Sequence, residues 1–214
     1  MQRLRLRFCR GERVKYITHL DLMRCWERTL RRARMPLAYS EGFSPHPRMS
    51  LAVPLPLGVT SEAELMDIFL TRWVSTTLFI RAVGQQLPPG IDMLEAWIMA
   101  QGIPSLQSQV RFAEYKVEVE SHQSQEEVES SLHALLSTKH LPWQHSRDTG
   151  VRHYDLRALI DRLWVIDWRE SWCTLGMKLR CDNRGSGRPE QVAAALGFHD
   201  PKAIHRTKLM LAPA

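Results

Sequence analysis

Two arginines and two glycines fall within five residues in the run DNRGSGRPEQVAAALGFH, residues 182–199, directly ahead of a segment with helical spacing. Arg184, Gly185, Ser186, Gly187 and Arg188 together have the makings of an anion site. Gly185 and Gly187 permit backbone angles that set successive N–H groups on one side of a turn, and Ser186 or Gly187 can cap the helix that follows. Pro189 fits the first helical position, where its missing N–H costs nothing. Unpaired amides and the positive end of the helix dipole would then face the same point as both guanidinium groups, which suits a phosphate or a carboxylate. The run lacks the Gly-Lys-Ser/Thr ending of a P-loop, so a capped turn with solvated arginines explains it equally well.

A second set lies between Lys15 and Arg48. His19 and Asp21 are two residues apart and diverge by about 200° on a helix, which argues against a shared metal site. Asp21 is explained by capping, three residues after Thr18. His46 stands between Pro45 and Pro47, which stiffen its backbone. Either histidine, His19 or His46, could move a proton. Tyr39 and Phe43 beside Arg48 could stack on bases while the arginine contacts phosphate, or both rings could be core. Arg24, Arg28 and Arg31 add cations on the helix before them, and Arg206, in the run IHRT, adds one near the end. The sequence contains no G-x-S-x-G elbow and no zincin motif.

The charge pattern favours a polyanionic partner. Residues 1–50 hold 12 Lys/Arg against 4 Asp/Glu, and residues 178–208 hold 7 against 3, in a chain of net charge +6. The four cysteines, Cys9, Cys25, Cys173 and Cys181, have neither zinc nor iron–sulfur spacing, so they read as free and mostly buried thiols of a reducing compartment. No uncharged apolar run approaches the roughly 18 residues that span a bilayer, and the arginine-rich start lacks an apolar signal core. Together these point to a cytoplasmic protein with no metal and no cofactor of its own.

The elements that must position these residues follow from periodicity. Leu4, Leu6 and Phe8 alternate with arginines, giving a strand with one buried face. Thr18 starts a helix in which Leu22, Met23, Trp26, Leu30 and Ala33 recur at helical spacing. MSLAVPLPL is a strand broken by Pro54 and Pro56. Residues 64–72 read as a strand, 75–87 as a helix and 91–99 as a closing strand. After a polar linker at 102–109 the order repeats, with a strand around Tyr115, Val117 and Val119 and a helix at 124–138. Two strands lie within 150–168 and 172–181, followed by a helix at 189–197 and a strand at 203–211. Trp164, Trp168 and Trp172 are assigned to packing. The expected fold is α+β, two tandem ferredoxin-like βαββαβ units with antiparallel sheets, residues 1–108 and 109–214.

The stretches KYITHLDLMRCWERTLRRARMPLAYSEGFSPHPRMSLAVPLPLGVTSEAELMDI, YDLRALI, GSGRPEQVAAALG and IHRTKL resemble the bacterial family of radical-SAM-linked proteins. Members accompany a cobalamin-binding radical S-adenosylmethionine protein, so the resemblance implies such a partner. With no cluster-binding cysteines in this chain, radical chemistry would belong to that partner. In character only, residues 184–188 are also similar to the glycine-rich loop of RAMP proteins, which pair ferredoxin-like units and hold RNA.

The resulting expectation is a non-catalytic RNA-binding accessory protein that presents RNA to a radical-SAM modifying enzyme. Arg24, Arg28, Arg31, Arg48, Arg184, Arg188 and Arg206 would contact phosphates, Gly185 and Gly187 form an amide cradle, and Tyr39 or Phe43 carry bases. The alternatives are a metal-independent endoribonuclease using His19 or His46, and a protein-binding adaptor of the radical-SAM partner.

Overall fold

Alternation of Leu4, Leu6 and Phe8 with arginines makes the first element an extended strand, β1 (Gln2–Arg10), in which those three side chains are fully buried. In the computed structural model, which describes residues 1–100, 102–147 and 150–212, the chain is an α+β protein. It divides into two compact units, Met1–Val110 with the segment from Leu211 on, and Arg111–Met210.

In the first unit β1 leads to α1 (His19–Arg32), β2 (Met49–Leu51), β3 (Thr60–Leu70), α2 (Thr76–Gly84) and β4 (Ile91–Met99). The strands pair antiparallel in the order β2-β3-β1-β4, the sheet of a ferredoxin-like unit. Helix α1 begins after Thr18, whose hydroxyl oxygen accepts from the Asp21 N–H at 3.2 Å. The capping box is only half made, because the Asp21 carboxylate accepts from the Thr18 hydroxyl at 2.7 Å. Leu22, Trp26 and Leu30 turn into the core, where the Trp26 ring meets Phe8 edge to face at 4.9 Å. Strand β2 stops after three residues, ahead of Pro54 and Pro56.

The other side of β1 departs from the expectation of a single buried face. Arg5 on that side is 5% exposed, and Arg10, at the end of the strand on the side of Leu4, Leu6 and Phe8, is 1% exposed. Asp67, directly across from Arg5 on β3, accepts from Arg5 Nε at 2.8 Å and from Arg3 Nε at 2.9 Å. Arg3 also donates to the carbonyls of Ile103 and Pro104, and Arg5 to Gln109 Oε1. The polar linker, which holds a one-turn helix α3 (Leu106–Gln109), is thereby tied to this side of the sheet. Arg10 donates to the carbonyls of Val14, Lys15, Ile17 and Leu55, fixing the approach to α1.

The second unit runs β5 (Val110–Glu120), α4 (Gln125–Ser137), a hairpin of β6 (Pro142–Arg147) and β7 (Gly150–Asp155), β8 (Ile160–Arg169), β9 (Trp172–Asp182), β10 (Gly185–Ser186), α5 (Pro189–Ala195) and β11 (Ala203–Leu211). The order β8-β9-β5-β11 repeats the ferredoxin-like sheet, and the β6–β7 hairpin is an unexpected addition that, among the described residues, pairs only with itself. A full capping box, Ser124 with Glu127, starts α4. Tyr115, Val117 and Val119 lie opposite Met177, Leu175 and Cys173, forming the buried side of this sheet.

Among the described residues no cysteine forms a disulfide; Cys173 and Cys181 are buried, while Cys9 and Cys25 are half-buried. Among the described residues no helix is long and apolar enough to cross a membrane.

Removing one partner from a buried charge cluster leaves the others uncompensated. Asp67→Ala, which strands Arg3 and Arg5, is expected to lower unfolding stability by about 3–5 kcal/mol, read from the urea midpoint. Burial pushes the Cys173 thiol up to about 11. It therefore stays protonated at pH 8, and iodoacetamide labelling followed by peptide mapping should modify it far more slowly than Cys25.

Candidate nucleic-acid interface

Helical spacing places Arg24, Arg28 and Arg31 at i, i+4 and i+7, on one stripe of α1, and all three are exposed. Arg24 meets Asp21 at 3.4 Å and Arg31 meets Glu27 at 2.7 Å, both surface ion pairs. Such exposed pairs contribute about 0–1 kcal/mol and are readily exchanged for a phosphate. Arg28 has no ion pair among the described residues.

The loop after α1 is a built projection. Tyr39 bridges Pro47, the Ser40 N–H donates to the His46 carbonyl at 2.8 Å, and the Arg48 N–H donates to the Ala38 carbonyl at 2.8 Å. The His46 N–H returns to Ser40 Oγ at 3.0 Å. Gly42, at φ +116°, reverses the chain at the tip, where L side chains rarely fit. Its neighbour Phe43 is fully exposed, and Tyr39 is 42% exposed, so neither ring is core. The Arg31 guanidinium stands 5.9 Å from the Tyr39 ring centroid, and that of Arg48 lies 4.7 Å from Phe69 on β3. Five of the expected residues, Arg24, Arg28, Arg31, Tyr39 and Arg48, thus sit on α1 and the neck of its following loop, with Phe43 at the loop's end. His19 opens α1 and His46 lies in the loop; both are exposed.

The glycine run is built differently from the expectation. Gly185 and Ser186 form β10, paired with Asp182 and Cys181 of β9, and neither Gly185 nor Gly187 takes a positive φ. The Gly187 N–H is not free for an anion, since it donates to the Arg180 carbonyl at 2.9 Å. What requires glycine here is packing. A Cβ on Gly185 would stand 2.7 Å from Leu159 Cδ2, and one on Gly187 3.0 Å from Leu179 Cβ. The helix cap also shifts, because Arg188 is the N-cap residue of α5 and makes no side-chain cap bond, so neither Ser186 nor Gly187 caps it. Pro189 does take the first helical turn. Ser186 Oγ lies 3.6 Å from Cys181 Sγ. Arg184 is exposed, with its N–H on Asp182 Oδ1, while half-buried Arg188 lies 3.7 Å from Glu190. Arg206 is 0% exposed on β11 and is therefore not a surface phosphate contact.

Sequence reasoning missed a cleft of about 180 Å³ in the second unit, lined by Glu118, Asp167, Arg169, Trp172, Thr174 and Lys202. Trp172, expected to be packing, is 37% exposed there. The alternation of β5, which turns Glu118 away from Val117 and Val119, was the available signal.

Fold and surface together define an α+β protein of two ferredoxin-like units with a basic, aromatic-tipped edge on the first. The chain belongs to the family described as "Uncharacterized protein conserved in bacteria (DUF2344)", whose profile matches residues 3–189. No curated protein matches it. Among solved structures it is similar to a chain of a Cbf5-Nop10-Gar1 complex, with TM-score 0.53 and 8% identity over 96% of this chain and 48% of that one. The present chain thus spans about half of that neighbour's length, and at such identity the likeness is one of fold. An unknown protein from Galdieria sulphuraria aligns over 92% of this chain and 89% of its own, with 12% identity and TM-score 0.29.

If the glycine turn is a packing device, Gly187→Ala should destabilise the protein by about 1–3 kcal/mol, through overpacking against Leu179 and the Leu159 carbonyl. Thermal denaturation checks this.

Proposed function

We propose that this chain is a non-catalytic RNA-binding accessory protein that presents RNA to a radical-SAM modifying enzyme in the cytoplasm. The observation that carries the reading is the exposed stripe of Arg24, Arg28 and Arg31 beside a loop that holds Tyr39, Phe43 and Arg48 in solvent. Cations spaced along a helix meet successive phosphates, and exposed rings on a stiffened loop stack on unpaired bases. Arg184 supplies a further cation in the second unit. The radical-SAM partner comes from the family resemblance of residues 15–68, and four cysteines outside any disulfide accord with a reducing compartment.

Anisotropy of a labelled single-stranded RNA across a salt series tests the reading. Each neutralised phosphate contributes about −0.7 to the log–log slope, so Arg24→Ala/Arg28→Ala/Arg31→Ala should flatten it by about two. Absence of binding at low salt would replace the RNA reading with the protein adaptor, for which Phe43 is the docking side chain. Cleavage of the RNA by wild type, lost in His46→Ala, would make the protein a nuclease instead.

A further inference from the structure

Helices cover one side of the second unit's sheet, and the other side carries the cleft. Three strands bring its floor into line, because Glu118 of β5 is opposite Thr174 of β9, and Thr174 is opposite Asp167 of β8. That last pairing exists only because β8 slips by one residue between Val165 and Asp167. Without the bulge Ile166 would face Thr174, so the irregularity exchanges an apolar side chain for a carboxylate at the cleft. Trp172 forms a wall, with Lys202 Nζ 4.3 Å from its ring centroid.

The groups differ in how far they are engaged. Asp167 holds Arg169 Nε on Oδ2 at 3.0 Å and accepts the Trp168 N–H on Oδ1 at 3.0 Å. The Glu118 carboxylate has no hydrogen bond or ion pair among the described residues. The cleft therefore offers an aromatic face, one unengaged carboxylate and one ammonium. At about 180 Å³ it is smaller than the roughly 300–1,000 Å³ of pockets that enclose a drug-sized ligand, which fits a single flat ring system.

We propose that this cleft takes a guanine base, stacked on Trp172, with its N1–H and N2–H donors on the Glu118 carboxylate and its O6 acceptor on Lys202. Guanine alone among the common bases presents two adjacent donors to match a carboxylate's two oxygens, next to an acceptor for a cation. Lys202 leaves the ring face as the base stacks, and O6 receives its ammonium. An exposed cation–π contact is the weaker of the two and yields to base stacking. The function proposed above makes this base part of an RNA strand, and the inference extends that reading to which base the second unit selects.

The test uses the full chain with GMP and with the pentamers UUGUU, UUIUU and UUAUU, in which inosine lacks only the 2-amino group. Wild type should hold UUGUU about tenfold more tightly than UUIUU or UUAUU. Trp172→Ala should weaken UUGUU about tenfold, with Trp172→Phe restoring most of it. Glu118→Gln, at an exposed position, should erase the preference for guanine over inosine without changing the melting temperature. Equal affinity for the three pentamers, or a guanine preference untouched by Glu118→Gln, overturns the proposal while leaving RNA binding through α1 intact. Binding of GMP without any pentamer, lost in Trp172→Ala, upholds the cleft and makes a free guanine nucleotide its ligand, at the expense of the RNA reading. Failure of wild type to bind either probe overturns both.

Discussion

A buried carboxylate, Asp67, makes it possible for a strand of alternating arginines to be an inner strand of the first unit's sheet. Four hydrogen bonds reach it from Arg3 and Arg5, from 2.5 to 3.1 Å. Desolvating a guanidinium is tolerable only where its donors are met, and here three further bonds go to the Ile103 and Pro104 carbonyls and to Gln109. The same groups that neutralise the strand thus hold the linker. Arg7, further along, is less enclosed and pairs with Glu95 on β4.

Much of the fold was legible because burial in each unit obeys simple periods. The i, i+4, i+8 recurrence of Leu22, Trp26 and Leu30, with Thr18 ahead of it, places α1 to within a residue. The alternation around Tyr115 places β5. What escaped depends on partners distant in sequence. Arg5 reads as solvated until Asp67, 62 residues on, is brought opposite it. Gly185 and Gly187 read as an amide cradle until Leu159 is packed beneath them. The strands at 142–147 and 150–155 lack the apolar alternation of a core strand, and among the described residues they pair only with each other.

The candidate sites were legible to the same degree, and for the same reason. Arg24, Arg28 and Arg31 share a face by local geometry alone, which any helical reading finds. Phe43 is exposed at the tip of a loop that turns at Gly42 and is closed at its neck by the Ser40–His46 and Arg48–Ala38 hydrogen bonds. The cleft at Trp172 needed the register of three strands and a one-residue slip, of which the alternation of β5 signals only the side on which Glu118 lies. Arg206 shows the opposite error, a basic residue in a basic run that the fold buries.

Each ferredoxin-like unit places its helices on one side of the sheet and must deal with the other. The first covers part of that side with its own linker, through hydrogen bonds from Arg3 and Arg5 to the Ile103 and Pro104 carbonyls and to Gln109. The second leaves rings there and sets a cation beside each: Lys178 on Phe112 at 4.6 Å, Arg162 on Trp164 at 5.3 Å, Lys202 on Trp172 at 4.3 Å. Trp164 lies so flat on β9 that a Cβ at Gly176 would come within 2.0 Å of its ring, which makes that glycine part of the surface's construction. Acids balance the cations on this side, with Lys178 held by Asp161 at 2.8 Å and Arg169 by Asp167. A surface so neutralised gains little from phosphates, whereas flat rings with exchangeable cations gain from planar bases. The unbalanced positive charge lies instead on α1. Affinity for a strand and choice among its bases would then be assigned to different units, so that each could be altered without the other.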